Sequence, residues 1–504
     1  MEFLALLLLV LFFVLASIHV LTFDRGCRKS GSPKIPPGPK PLPIIGNTLE
    51  LGNRPHHALA RLSKIYGPLM TLKLGSRTAV VISSPDMAKE ALQTNDQVFS
   101  GRTIADTSRA FNHHKFSVAW LPASTQWRKL RKVSATQIFA PQRLDATQAL
   151  RRVKVQQLLD HVQACCSSGQ AVDIGRAVFT TGLNALSNTF FSIDLAEYCN
   201  SNSSQEFHEL IWGAMAEAGR PNISDFFPAL RFIDPQGARR RMTTYFAKLF
   251  GILDGIIDKR VQLRALAKSS KPSDDVLDSL LNLTEEDNPD LRFDHIKRLL
   301  VDLFVAGNDT TTSTVEWAMA ELLRDPAKMA KAREEAEEVL GNVGLVQESD
   351  ILKLPYLQAV VKETLRLHPP APLLIPHKAE VDVEMCGFTV PKNAQILVNV
   401  WAMGRDSSIW PNPTLFSPER FLEKDIDYKG RDFELIPFGA GRRICPGLPL
   451  ASRMVSFILA SLVYSFHWTL PAETKPEDLD MSEAAAGFTL HRTKPLLAIP
   501  ITSV

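Results

Sequence analysis

Apolar positions are distributed very unevenly along this chain. From Phe3 to Phe23 they run almost unbroken, interrupted only by Ser17, His19 and Thr22. A helix of about 20 such residues spans a bilayer. The run is long for a signal-peptide core, no Lys or Arg precedes it and no clear small-residue cleavage site follows, so it reads as a retained anchor. Arg25, Arg28, Lys29 and Lys34 come directly after it. The positive-inside rule therefore puts everything downstream in the cytosol. Pro36 to Pro43 carries five prolines, which lock φ and remove amide donors, so it reads as a semi-rigid spacer.

Period-two runs at Leu69–Leu74 and Thr78–Ile82 flank Gly75-Ser76-Arg77 and predict a hairpin; Pro85-Asp86 then opens a helix. Gly101 to Ala123 is irregular and mixed, and the adjacent His113 and His114 in it would point apart rather than share a metal. Ala146 to Asn282 is mostly amphipathic helix, broken near Ser201 and Pro221. Asp294 to Leu323 has no proline and a sustained helical period, which predicts one helix about 45 Å long. A last apolar run, Leu448 to Tyr464, predicts another helix.

Chemistry enters just before that last helix, in Phe438-Gly439-Ala440-Gly441-Arg442-Arg443-Ile444-Cys445-Pro446-Gly447. A helix N-terminus favours a thiolate. A thiolate is a soft ligand for iron, and glycines on either side let a flat macrocycle approach the backbone. Arg443, two residues from Cys445, is placed to meet an anionic edge such as a haem propionate. The plain alternative for a lone cysteine is a buried structural thiol. Trp127 and Arg131 are four apart on a basic amphipathic helix, hence on one face, either holding an anion together or as a core tryptophan beside a solvated charge. Ala306-Gly307-Asn308-Asp309-Thr310-Thr311 puts small residues, an acid and hydroxyls in the middle of the long helix. A buried acid followed by three threonines is costly unless used. Thr310 could bond its own helix's carbonyls and open a bulge. Glu363 and Arg366, at i, i+3 on a helix that Pro369 ends, read by themselves as a surface salt bridge.

These motifs together resemble the cytochrome P-450 superfamily of haem-thiolate monooxygenases, over nearly the whole chain. The resemblance implies a mainly α fold with a minor β part, a large helical haem domain plus a small strand-rich region. It implies domains at 1–24 (membrane anchor), 25–45 (hinge) and 46–504 (catalytic), and an endoplasmic-reticulum location with one span. Haem b is the implied cofactor, with Cys445 on iron and Trp127, Arg131, His377, Phe438, Arg443 and Gly447 around it. Asp309 and Thr310 match the acid-alcohol pair that supplies protons for oxygen activation. Glu363 and Arg366 with Arg420 match a buried three-member network behind the haem. Phe111, Phe116, Val118, Val305, Ala306, Leu373, Leu374, Ile375 and Phe488 are the implied apolar substrate contacts. Electrons would come from NADPH through a separate NADPH-cytochrome P-450 reductase, for which Arg128, Lys129 and Lys132 offer a basic surface. Pro221 to Pro228 and Asp234 to Arg241 are similar in wording to plant members that hydroxylate terpenoids, such as monoterpenols or abietane diterpenes.

Composition narrows little further. In 504 residues with a net charge of +3 there is no aromatic-basic stripe, which excludes a nucleic-acid role. The six cysteines lack disulfide-like or zinc-like spacing. An electron-independent haem-thiolate isomerase or dehydratase is a rival reading, as is a phenolic or alkaloid precursor as substrate; the acid-alcohol pair counts against the isomerase. A haem-binding sensor without turnover has no use for that pair either.

Overall fold

The computed structural model describes residues 34–198, 201–266, 275–285, 293–341, 344–472, 474–485 and 487–502. The expected anchor at 1–24 lies outside them, as do Arg25, Arg28 and Lys29. The proline-rich stretch is no free spacer, because it lies along the first strand. Thr71 donates its amide to the Pro37 carbonyl at 2.8 Å, and a Cβ on Gly38 would sit 1.8 Å from the Thr71 carbonyl oxygen. Only glycine permits that approach.

The expected hairpin forms as β1 (Leu69–Leu74) and β2 (Arg77–Ile82), paired antiparallel from Leu69 opposite Ile82 to Leu74 opposite Arg77. The helix that Pro85 opens runs to Lys89 and continues as a π-helical turn over Glu90–Thr94. The irregular segment then holds β3 (Gly101–Arg102) and a kinked 3-10 stretch, Thr107–Lys115. α1 (Thr125–Val133) is capped by Ser124, whose hydroxyl accepts from the Trp127 amide. α2 (Gln148–Ser168), β4 (Val172–Asp173), α3 (Ile174–Phe191), α4 (Ser201–Gly219) and α5 (Ala238–Leu266) follow.

The long helix is α6 (Phe293–Arg324), 32 residues without a break. Its expected bulge is absent. The Thr310 hydroxyl donates to the Ala306 carbonyl at 2.8 Å, a bond made on the outside of an intact helix. α7 (Pro326–Leu340) and α8 (Pro355–Leu367) come next, the latter started by Pro355 at its first position and ended just before His368-Pro369. Strands β5 (His377–Lys378), β6 (Val383–Met385), β7 (Phe388–Val390) and β8 (Gln395–Val398) precede α9 (Leu448–Ser465), β9 (Phe466–Thr469) and β10 (Leu497–Thr502).

α6 is central: it packs on α3, α4, α8 and α9, and its buried residues run from His295 to Leu323. α9 is the one helix among the described residues long and apolar enough to cross a membrane, but most of it is buried in this core. The hairpin belongs to a five-stranded sheet ordered β1-β2-β8-β5-β3, with β2 and β8 parallel. The antiparallel register of β3 on β5 sets Arg102 directly opposite His377.

Candidate active site

A cavity of about 260 Å³ lies between α6 and the loop before α9. Its walls include Ala306, Gly307 and Thr310 from α6 and Phe438, Gly439, Arg443, Cys445 and Gly447 from the loop. The loop is folded back on itself: the Cys445 amide donates to the Phe438 carbonyl at 2.9 Å. Gly441 has φ 64° and packs so closely that a Cβ would lie 1.7 Å from the Leu92 carbonyl oxygen. Gly447 is the residue before α9, and a Cβ there would come 3.8 Å from Cys445 Sγ. Burial pushes the Cys445 thiol up, against the amide hydrogen bonds from Gly447 and Leu448 and the charge of Arg131. The helix-terminal effect expected from sequence is therefore present but outweighed in the protein alone.

One side of the cavity is strongly cationic. Arg102, Arg131 and Arg443 all line it, and Asp302 is the one carboxylate among the described lining residues. Burial and the neighbouring Arg443 and Arg131 hold Arg102 well below the usual arginine value. Burial, Arg131 and Arg442 bring Arg443 down to about 10. Arg102 Nη1 donates to the Ile375 carbonyl at 2.6 Å, but its buried Nε has no partner. Arg443 donates to the carbonyls of Ser100 (3.0 Å) and Leu121 (2.5 Å) and lies 4.4 Å over the Trp127 ring.

Two expected anion contacts are already engaged. Trp127 Nε1 donates to the Val118 carbonyl at 3.1 Å rather than being free for a propionate. His377 Nδ1 donates to the Phe99 carbonyl at 2.7 Å, and burial with Arg102 and Arg443 nearby keeps the ring neutral. Its other nitrogen then carries no proton, so His377 can donate to a carboxylate only after it is charged. Arg102, absent from the sequence reading, is the stronger cation at this wall.

Of the apolar contacts expected from sequence, Val118, Ala306, Leu374, Ile375 and Phe488 line the cavity. Four do not. Phe111 is 45% exposed, at φ 51°, with its ring edge-on to Phe250. Phe116 packs against His295 and under the Arg298 guanidinium. Val305 is buried on another face of α6, and Leu373 packs with the cluster under β1 and β2. The roof loop is pinned instead by Asp302, one turn of α6 before Ala306. Its carboxylate takes His113 Nε2 at 2.7 Å and the Val118 amide at 2.9 Å.

Asp309 does not reach the cavity either. Its side chain is nearly fully buried and faces away from Thr310, with Oδ2 3.2 Å from His491 Nε2. Glu363, Arg366 and Arg420 do come together. Glu363 accepts from Arg366 Nε (2.6 Å) and Nη2 (2.7 Å), Arg420 Nε (3.0 Å) and the Ser417 amide (2.7 Å). Glu363 and Arg366 are both 0% exposed, so the surface salt bridge of the plain reading is excluded. Arg366 also donates to the carbonyls of Gly404, Pro413 (2.7 Å) and Leu415 (3.0 Å), tying α8 to the chain leading into the Cys445 loop.

The chain matches the family model described as Cytochrome P450 over residues 36–499. It belongs to the cytochrome P450 family. Cytochrome P450 76T24 of Catharanthus roseus is 52% identical over 494 residues, covering 98% of each chain. Cytochrome P450 76AD1 of Beta vulgaris is 54% identical over 467 residues, 93% of each chain. Geraniol 8-hydroxylase of Catharanthus roseus is 52% identical over 468 residues, 93% of this chain and 94% of that one. The protein is thus a P450 oxidoreductase whose family cofactor is haem, with iron on an axial cysteine thiolate. The residues present fit that group. Three arginines on one side of the cavity, the buried Arg102 among them with its Nε unpartnered, suit its carboxylates, and Cys445 opens on the cavity beside a glycine without a side chain to block it.

Proposed function

We propose that this P450 hydroxylates a hydrophobic small molecule, a plant terpenoid of the monoterpenol class, using NADPH electrons passed on by a separate reductase. The observation that carries this reading is the apolar lining of the cavity onto which Cys445 opens. Ala306, Leu374, Ile375 and Phe488 make it apolar, and Thr310 adds a hydroxyl. Such a wall selects apolar substrates and orients them by shape. The likeness to relatives named Geraniol 8-hydroxylase, from Catharanthus roseus and Swertia mussotii, supports the monoterpenol as first choice over an abietane diterpene.

In this reading Cys445 ligates the haem iron, and Arg102, Arg131 and Arg443 hold the propionates. The bound haem supplies oxygen activation. Thr310, whose hydroxyl proton is committed to the Ala306 carbonyl, presents lone pairs to the cavity and can relay protons arriving from Asp309. Glu363, Arg366 and Arg420 fix the backbone beneath the Cys445 loop. Arg128 and Lys132, exposed on α1, serve an acidic reductase, and residues 1–24 anchor the catalytic domain to the endoplasmic-reticulum membrane through the link at 25–45, which is docked on β1 from Pro37 rather than free.

The test is product formation in microsomes holding this chain and a plant reductase, with NADPH and either geraniol or an abietane diterpene. A hydroxylated product from geraniol, lost without NADPH and in Cys445→Ala, is the expected result. Product from the diterpene alone moves the substrate class. No product from either, with an intact carbon-monoxide spectrum of the reduced haem, overturns the terpenoid assignment.

A further inference from the structure

We propose that His491 is the residue that positions and reprotonates Asp309, so that the C-terminal segment connects the acid of α6 to solvent. The inference rests on the reading of Asp309 as a proton source. Thr310 and Gly307 wall the cavity, whereas Asp309, between them and the C-terminal segment, is 3% exposed in its side chain. A buried carboxylate must draw its proton from a neighbour. Among the described residues, His491 is the hydrogen-bond partner that the Asp309 carboxylate has, at 3.2 Å. The His491 side chain is 17% exposed, so one imidazole touches both the buried acid and water.

The backbone that carries His491 is clamped to α6. The carbonyl of Leu490 accepts from Ser313 Oγ at 2.7 Å and from Trp317 Nε1 at 2.8 Å, one and two turns beyond Asp309. The Leu490 amide donates to the Pro370 carbonyl at 2.9 Å, and the His491 carbonyl accepts from the Ala484 amide at 2.9 Å. A ring held this firmly keeps its nitrogen on the acid without a mobile loop. Asp309 and Glu316 on α6 and His208 on α4 face this point; Asp173 and Arg176 flank His208, and Arg492 faces Glu316. Burial opposes charge on His491, and the carboxylates of Asp309 and Glu316 overcome it, so the imidazole holds a proton above the usual histidine range.

The transfer balances with protons alone. His491 Nε2–H passes its proton to Asp309 Oδ2 and becomes neutral. The carboxyl turns about its side-chain bonds towards Thr310 and releases the proton at the cavity wall. His491 keeps its Nδ1–H, and while the carboxyl is turned away its bare Nε2 takes a proton from water, which restores the imidazolium.

Two measurements test this on the full-length, haem-loaded protein in detergent micelles with reductase. The first is the titration of the ¹⁵N-labelled His491 imidazole, identified by its loss in His491→Gln. Its midpoint is expected to fall in Asp309→Asn, independently of turnover; an unmoved midpoint overturns the pairing. The second is NADPH oxidation without organic substrate, with electrons divided between hydrogen peroxide and water. His491→Gln is expected to slow water formation about a hundredfold, at the low end of acid-base contributions, and to enlarge the solvent isotope effect. His491→Lys, which restores a proton-bearing cation, should recover part of the rate. Normal water formation and isotope effect in His491→Gln, with Asp309→Asn impaired, overturns the role of His491 alone. If Asp309→Asn is normal too, the reading of Asp309 falls with it.

Discussion

Glu363→Gln tests whether the buried network is what holds the Cys445 loop in place. The substitution keeps shape and removes one charge from a carboxylate that receives four hydrogen bonds, three of them from the guanidiniums of Arg366 and Arg420. With Arg366 at 0% exposure, water cannot replace what is lost. Breaking a buried pair by neutralising one partner costs about 3–5 kcal/mol, because the other charge stays behind. Arg366 also keeps its bonds to the Pro413 and Leu415 carbonyls, so it cannot leave the site to relax the strain. For 504 residues the melting entropy is about 1 kcal/mol per kelvin, which converts the loss to a fall of about 3–5 °C. The assay is loss of haem absorbance on heating at a fixed scan rate, with the carbon-monoxide spectrum of the reduced protein read before heating. Glu363→Gln should release haem several degrees early and show part of its haem without thiolate ligation. Release within a degree of the native protein, with full thiolate ligation, refutes the argument that this carboxylate supports the loop.

Three other outcomes follow from the same geometry. Arg102→Leu removes a buried cation that lines the cavity and should lower the haem-to-protein ratio after purification, while Arg128→Leu, on the exposed face of α1, should leave it unchanged. Asp302→Asn removes the carboxylate that binds His113 and the Val118 amide and weakens the hold on both, which an increase in amide hydrogen exchange across 107–118 would register. His491 has a folded pKa above its unfolded value. Its pairing therefore contributes stability in full below about pH 6.5, and that contribution is lost as pH rises through the folded value. The gap in melting temperature between the native protein and His491→Gln should accordingly narrow with rising pH; a gap that widens contradicts the pairing.

The sequence was most readable where chemistry is local. The Cys445 loop, the four-residue step from Trp127 to Arg131 and the period of α6 are each contained in one element, and each lies where its spacing predicted. The direction in which a side chain points was harder. Phe111 and Phe116 were expected at the substrate, yet Phe111 sits at a left-handed residue in a kink no period reveals, and Phe116 packs on His295 instead of the cavity. The spacer expected at Pro36–Pro43 failed for a related reason. Prolines forbid ladder donors, but their carbonyls still accept, and β1 uses one of them.

What sequence spacing missed altogether is long-range pairing. Arg102 faces the cavity because β3 meets β5 in a register that sets it opposite His377, 275 positions away in the chain, and no local pattern marks a two-residue strand. Asp302 reads within α6 as one more polar residue on a helix; it becomes the pin of the roof only because His113 arrives from the kinked 3-10 stretch, 189 positions away in the chain. Asp309 and His491 follow the same logic. The acid-alcohol pair was visible as two adjacent residues, but not the element each side chain would face. Adjacent residues on a helix point about 100° apart, so when Thr310 takes the cavity wall, Asp309 must face another element. That element is the C-terminal segment, and the residue it presents there is a histidine. The placement of Asp309 one step back from the cavity, against an imidazole that can carry charge, is therefore a consequence of helix geometry combined with the path of the segment that carries His491 across α6.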